Sequence, residues 1–169
     1  MAKSTKTSSL DFARGAMGNI ITPEMVSKHL GVRYPKKELL KLEKVPFSEA
    51  TLKKYRESHI LVAGYPLSIR DIEKKTSKTK VCFNSTNKLF VKRDEVGYQW
   101  YLIRKDIGKR LVDEGDDEKM ARACVVVYTA VLYYLIYKEG IFNRFMARCV
   151  SSLEDQDVYV GNGSDDWLL

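Results

Sequence analysis

The residues best suited to chemistry are few and widely spaced in this chain. There are two histidines, His29 and His59, and three cysteines, Cys82, Cys124 and Cys149. None of them stands in the CxxC, HxxxH or HxH spacing that a zinc site uses, so the sequence predicts no metal. GxSxG, GxxxxGK[ST] and GxGxxG motifs are also absent, which argues against common hydrolases and phosphate-binding loops. The pattern favours a protein without catalytic residues or a cofactor.

Two alternatives keep some chemistry open. His59 stands at the edge of an apolar run and could act as an acid or base, although a histidine there more often packs in a core. Asp155, Asp157, Asp165 and Asp166 could supply oxygen ligands to a divalent cation. Neighbouring carboxylates in loops are usually solvated, so the acidic residues favour an ordinary surface.

Charge is distributed unevenly along the 169 residues, whose formal net charge is +7. Residues 1–94 hold 20 Lys and Arg against 9 Asp and Glu, whereas residues 95–169 hold 9 against 13. The two parts therefore carry net charges of +11 and −4. The densest basic segment is 70–93. Such asymmetry can mark a nucleic-acid or acidic-protein contact, and the alternative is a solvated surface.

Periodicity and capping residues predict an α+β fold, with a small mixed or antiparallel sheet packed on one long buried helix. The helical N-terminal part, 20–57, holds three short helices, and the middle one makes its apolar contacts through Leu39, Leu40 and Leu42. Ser68 and Asp71 form a capping box that opens a further helix. The other predicted elements are a buried strand over 59–65, strand candidates at 80–83 and 88–92 and a strand over 97–104. A core helix is predicted to begin at the acidic residues 116–118 and to end at about 138. An element of undecided type over 142–149 and a strand over 158–160 complete the list.

The predicted organisation is a flexible basic tail, 1–19, followed by a single domain, 20–169. The start of the chain has lysines but no apolar stretch of the kind that a secretory signal needs. The apolar run Ala123–Tyr137 is shorter than the roughly 20 residues that cross a bilayer. With so few cysteines, buried and reduced thiols in the cytoplasm are expected.

An aromatic hairpin is the clearest candidate for binding. Residues 88–93 and 98–105 would pair, with Tyr98 and Trp100 packed on the core helix and Tyr101 on the face left for a partner. The predicted nucleic-acid or partner contacts are Arg70, Lys74, Lys75, Lys78, Lys80, Lys92, Arg93, Tyr101, Arg104 and Lys105. Trp167, Leu168 and Leu169 are predicted to contact a protein partner, because exposed apolar residues at a chain end usually have one, and the alternative is that they pack back on the core of the chain.

Four segments carry a resemblance: Ile21–Val26, His59–Pro66, Trp100–Asp106 and Ala123–Tyr128. Together they resemble a group of uncharacterised bacterial proteins from metagenomes and candidate phyla. The end of such chains is similar to the hypervariable tail of C-type-lectin-like ligand-display proteins of diversity-generating retroelements. This chain departs from that pattern, since it stops at Asp166-Trp-Leu-Leu169. The resemblance implies a non-catalytic binder.

The sequence therefore leads first to a non-catalytic, cytoplasmic interaction protein with a protein partner and no cofactor, of bacterial, phage or mobile-element origin. A nucleic-acid-binding protein that uses the basic segment and the hairpin is the second hypothesis. A lectin-like ligand-display protein is the third.

Overall fold

The computed structural model describes residues 7–79, 92, 94–105, 121–141, 146–153 and 156–161. Its helices are α1 (Leu10–Ala16), α2 (Pro23–Leu30), α3 (Lys36–Leu42), α4 (Glu49–Lys54), α5 (Ile69–Thr76) and α6 (Ala123–Tyr137). Its strands are β1 (Ser8–Ser9), β2 (Ile20–Ile21), β3 (Lys44–Val45), β4 (His59–Ala63), β5 (Trp100–Arg104), β6 (Met146–Leu153) and β7 (Gln156–Gly161). The fold is α+β, as the sequence predicts.

The central sheet is mixed and has the strand order β2-β4-β5. Strand β2 runs parallel to β4, with Ile20 opposite Leu61. Strand β5 runs antiparallel to β4 and places Arg104 opposite His59 and Trp100 opposite Ala63. All five residues of β4 are buried, which is typical of a strand covered on both faces. The buried strand predicted from the continuous apolar run is therefore confirmed.

Helix α6 forms the centre of the core. Twelve of its 15 residues are buried, and a helix that is apolar all round must be enclosed by other elements. It lies against α2, α5, β5, β6 and β7, so the predicted core helix is confirmed. Its predicted start at 116–118 lies outside the described residues, and Arg122, directly before the helix, has an extended backbone, so α6 begins at Ala123. Among the described residues, no helix is both long enough and apolar enough to cross a membrane.

Gly31 ends a helix and Ser48 and Ser68 cap helices, as the sequence predicts. Gly31 ends α2 with a φ of 61°, a left-handed conformation that glycine adopts without steric cost. The Ser48 and Ser68 side chains accept hydrogen bonds from the backbone N–H groups of Thr51 and Asp71. At Ser68 the capping box is complete.

The prediction of a flexible tail over residues 1–19 is wrong for residues 8–19. Strand β1 pairs with β3, α1 packs against α4, and Ser9 caps α1 by accepting a hydrogen bond from the Phe12 N–H. Ala13 is fully buried and Met17 nearly so. The buried residues of α1, Ala13 and Ala16, are small. Their burial therefore depends on the elements that pack against the helix.

The contacts predicted for α3 also need correction. Leu42 is buried at 2% exposure, but Leu39 and Leu40 are 38% and 55% exposed. A helix of seven residues can present only one narrow stripe to the core, and Leu42 occupies it.

Of the segment 142–149, whose type the sequence leaves undecided, residues 146–149 belong to strand β6, and 142–145 lie outside the described residues. Strands β6 and β7 pair antiparallel in a separate two-stranded sheet, with Cys149 opposite Val158. The predicted strand at 80–83 and, apart from Lys92, the predicted strand at 88–92 lie outside the described residues, and so does the predicted pairing of 88–93 with 98–105. Within the described part, β5 pairs with β4.

Candidate partner-binding surface

The outer side of α5 carries a group of cations, here called the α5 cationic surface: Arg70, Lys74, Lys75 and Lys78. The inner side of the helix is fixed by the buried residues Ile69, Ile72 and Thr76. The three lysines are exposed and Arg70 is half-buried. Four-residue spacing places Arg70 and Lys74 on one side of the helix, and Lys78 follows in the next turn.

Two carboxylates belong to the same helix: Glu73 is exposed, and Asp71 is engaged in the capping box. Its Oδ2 accepts hydrogen bonds from the Ser68 hydroxyl at 2.6 Å and the Ser68 N–H at 3.1 Å. The hydroxyl bond, helped by the backbone bond and by Lys74 and Lys75, lowers the Asp71 pKa against the opposing effect of partial burial. No cation of the α5 surface is within ion-pair distance of a described carboxylate. The surface therefore presents net positive charge to solvent.

Arg104 and Lys105 lie at the end of β5. Arg104 is exposed, and the Lys105 N–H donates to the Ser58 carbonyl at 2.9 Å. Helix α5 begins beside the segment that precedes β5, where Ser68 forms a bridge with Glu95. Lys92 is exposed. Five other predicted contacts lie outside the described residues: Lys80, Arg93, Trp167, Leu168 and Leu169.

Tyr101 and Trp100 both hold the fold together. The Tyr101 hydroxyl accepts a hydrogen bond from the Gly97 N–H at 2.9 Å, and its side chain is partly buried. The Trp100 indole is buried, and its Nε1 donates to the Leu42 carbonyl at 2.8 Å. The predicted burial of Trp100 is confirmed, and its indole also ties β5 to α3.

A tyrosine cluster at the end of β4 was not predicted from the sequence. The Tyr65 ring centroid lies 5.0 Å from that of Tyr34 and 5.3 Å from that of Tyr98. The hydroxyls of Tyr34 and Tyr128 both donate to the Ala63 carbonyl, at 3.3 and 2.9 Å. Burial raises the pKa of Tyr34 and Tyr128, so both phenols stay neutral. These tyrosines are far apart in sequence, and no local pattern could have revealed the cluster.

Three residues that could serve catalysis, His59, Cys124 and Cys149, are buried. His59 is 3% exposed, its Nδ1 is 2.8 Å from the Ser58 hydroxyl, and its ring lies 4.3 Å from the Tyr55 ring. Cys124 and Cys149 are buried, and burial raises the pKa of both thiols, that of Cys149 to about 12. Thiols with such pKa values are protonated at neutral pH and are poor nucleophiles.

The predicted cation-binding carboxylates fall largely outside the part of the chain that the structure describes. Asp155, Asp165 and Asp166 lie outside it, and Asp157 belongs to β7. Within the described ranges, no group of three or more His, Cys, Asp or Glu residues is placed to hold a metal ion.

The resemblance to proteins of candidate-phylum bacteria stays a prediction, since comparison of the chain with protein-family models, curated proteins and solved structures finds no match.

Proposed function

We propose that the chain is a non-catalytic binding protein that recognises a negatively charged macromolecule through the α5 cationic surface. The observation that carries the proposal is the set of four cations on and directly after α5 that lack an ion-pair partner among the described residues. An acidic protein surface is the first candidate partner. A cytoplasmic location belongs to the same proposal.

The environment of the chemistry-bearing residues supports a binding role over catalysis. His59 contacts Ser58 and Tyr55, and burial raises the pKa of the Cys124 and Cys149 thiols. Active-site nucleophiles and bases usually have pKa values shifted toward the reacting form and lie in an accessible cleft. The two thiols have pKa values shifted away from the reactive thiolate, and His59 is buried and not in an accessible cleft.

Electrostatics supports a charged partner. Exposed lysines contribute little to the stability of their own fold, because water screens them. The same charges attract an oppositely charged surface over about one Debye length, roughly 8–10 Å, and raise association rates. Lys74, Lys75 and Lys78 repel one another, and this electrostatic repulsion is offset when a negatively charged partner is bound.

Nucleic acid is the second candidate partner. Successive cations along one side of α5 are suited to neutralise neighbouring phosphates, and counterion release would then drive binding. Each neutralised phosphate adds about 0.9 to the slope of log affinity against log salt for duplex DNA.

The test uses variants of the full chain. Lys74→Gln/Lys75→Gln removes two lysines from the last turn of α5, and the matched control Lys28→Gln/Lys53→Gln removes two exposed lysines from the last turns of α2 and α4. Both variants lose the same charge and the same favourable interaction with a helix C-terminus. Only the first alters the α5 cationic surface.

For a protein partner, we expect affinity capture from nuclease-treated lysate to recover proteins that the α5 variant loses and the control keeps. For nucleic acid, labelled single strands and duplexes are titrated between about 50 and 200 mM salt, and the α5 variant should lower the salt slope by about 2. Absence of nucleic-acid binding at low salt eliminates the second candidate. Identical behaviour of the two variants in both assays overturns the proposal as a whole.

A further inference from the structure

Two adjacent leucines on α3 form the most unusual apolar feature of the surface. Leu39 and Leu40 are 38% and 55% exposed, and they are the large hydrophobic side chains that the described part of the chain exposes. A single exposed leucine is ordinary, but a contiguous apolar patch marks an interaction site more often. With Lys36 and Lys37 they form what is here called the α3 leucine–lysine surface.

The orientation of α3 is fixed from its inner side. The Leu42 side chain is buried, and the Leu42 carbonyl accepts the hydrogen bond from the Trp100 indole at 2.8 Å. The helix also packs against β3. Because these contacts fix the helix, Leu40 lies on the side away from Leu42, and Leu39, one turn before Leu42, lies at the margin of the buried stripe.

Charge around the leucines is biased toward positive. Lys41 is paired with Glu38, with its Nζ at 2.9 Å from both carboxylate oxygens. Lys36 and Lys37 are exposed and form no ion pair with a described residue. Helical spacing places them one turn before Leu39 and Leu40. The surface thus offers an apolar centre with cations on one side.

We propose that the α3 leucine–lysine surface binds an acidic segment of another protein whose apolar side chains cover Leu39 and Leu40. Charge complementarity favours the acidic segment, because its carboxylates compensate Lys36 and Lys37 while its apolar side chains bury the leucines. This surface is separate from the one on α5 and does not depend on the proposed function of α5.

A membrane is the less suitable occupant. Helices that lie in a bilayer interface bury a long apolar face with many large side chains, whereas α3 has seven residues and exposes two leucines.

The test begins with a random library of displayed peptides selected on the full chain. We expect enrichment of peptides that combine Asp or Glu with Leu, Ile, Phe or Trp. The best peptides are then synthesised with a fluorescent label and titrated against three variants: Leu39→Ser/Leu40→Ser, Lys36→Gln/Lys37→Gln and the control Lys28→Gln/Lys53→Gln, whose lysines belong to neither proposed surface. Far-UV circular dichroism and thermal melts confirm that each variant is folded.

The leucine variant should bind the peptides at least about tenfold more weakly, as truncation of a central apolar contact does. The α3 lysine variant should bind about threefold more weakly and with less dependence on salt. The control on α2 and α4 should leave affinity unchanged, and a loss confined to the two α3 variants separates this proposal from the preceding one. Equal binding to all variants, or enriched peptides that lack acidic residues, overturns the inference. Vesicles rich in phosphatidylserine that bind the parent chain and not the leucine variant would also overturn it.

Discussion

At the residue scale, Gly64 shows how closely the chain packs beside the tyrosine cluster. Its N–H donates to the Gln99 carbonyl at 2.8 Å. A methyl group added at Gly64 would clash with the Gly97 carbonyl and lie 2.6 Å from the Tyr101 ring. The segments after β4 and before β5 approach each other here through backbone alone, so only glycine fits.

Substitution of this glycine is therefore expected to destabilise the fold. Gly64→Ala should lower the free energy of unfolding by about 1–3 kcal/mol, because backbone must move to admit the methyl group. The matched control is Gly15→Ala in α1, where an added methyl group meets nothing within 4 Å. It should raise stability by about 0.5–1 kcal/mol. Urea unfolding followed by circular dichroism measures both, and equal effects at the two positions would refute the packing described.

At the element scale, short helices depend on their first turns. Helix α5 begins with a capping box in which Ser68 and Asp71 satisfy each other's backbone N–H groups. Helix α4 begins with Ser48, which caps the Thr51 N–H without a carboxylate in return. The two caps therefore differ in one ionisable group, the Asp71 carboxylate.

This difference predicts a dependence on pH. Asp71→Ala should cost about 1 kcal/mol of stability at neutral pH, comparable to the loss of an N-cap. The Asp71 pKa in the folded protein lies below its ordinary value of 3.8, so its contribution is present above that pH. The contribution is lost as the pH falls through the folded pKa.

The matched control for this prediction is Ser48→Ala, which should also cost about 1 kcal/mol but by the same amount at every pH. Unfolding curves from neutral pH down to acid measure both variants. A constant difference between Asp71→Ala and the parent chain across that range would contradict an ionised Asp71 cap.

The elements that sequence patterns predicted are those with strong local signals. The apolar runs of β4 and α6 are continuous, and the capping box joins Ser68 to Asp71 within one segment. Each signal can be recognised without knowing which distant residues pack against it. The sequence pattern does not predict helix α1, because its two buried residues, Ala13 and Ala16, are small and give a weak apolar signal until α4 covers them. The exposure of Leu39 and Leu40 was missed because helical spacing says which residues share a side, but not how much of that side the core can cover.

At the scale of the whole molecule, the reactivity of two cysteines can measure how tightly the C-terminal strands pack on the core. Cys124 belongs to α6 and Cys149 to β6, and α6 lies against both β6 and β7. Burial raises the pKa of each thiol, and Cys124 adds to the effect at Cys149. Their reactivity therefore depends on opening of this packing.

We expect alkylation of Cys124 and Cys149 in the native protein at neutral pH to be at least about a hundredfold slower than in the urea-unfolded chain. Mass spectrometry of the digested chain follows each cysteine peptide separately, so that Cys82 does not enter the comparison. Rapid labelling of Cys149 together with slow labelling of Cys124 would show that β6 and β7 are not packed on α6.

The uneven charge of the molecule also looks different once the fold is known. The sequence assigns +11 to residues 1–94, but folding divides this charge among several helices. Lys41 is paired with Glu38, whereas the α5 cationic surface and the Lys36–Lys37 pair have no ion-pair partner within the described residues. Local structure, more than net charge, decides where a negative partner can bind.

The sequence by itself determined the fold class, the buried strand β4, the core helix α6 and the cap of α5. These depend on interactions within a few residues or on hydrophobicity so continuous that burial is the only stable outcome. Tertiary structure alone decided the parallel pairing of β2 with β4, the tyrosine cluster around the Ala63 carbonyl and the outward position of Leu39 and Leu40. Each of these joins residues that are distant in sequence, or depends on which side of an element its neighbours cover, and no local pattern encodes that choice.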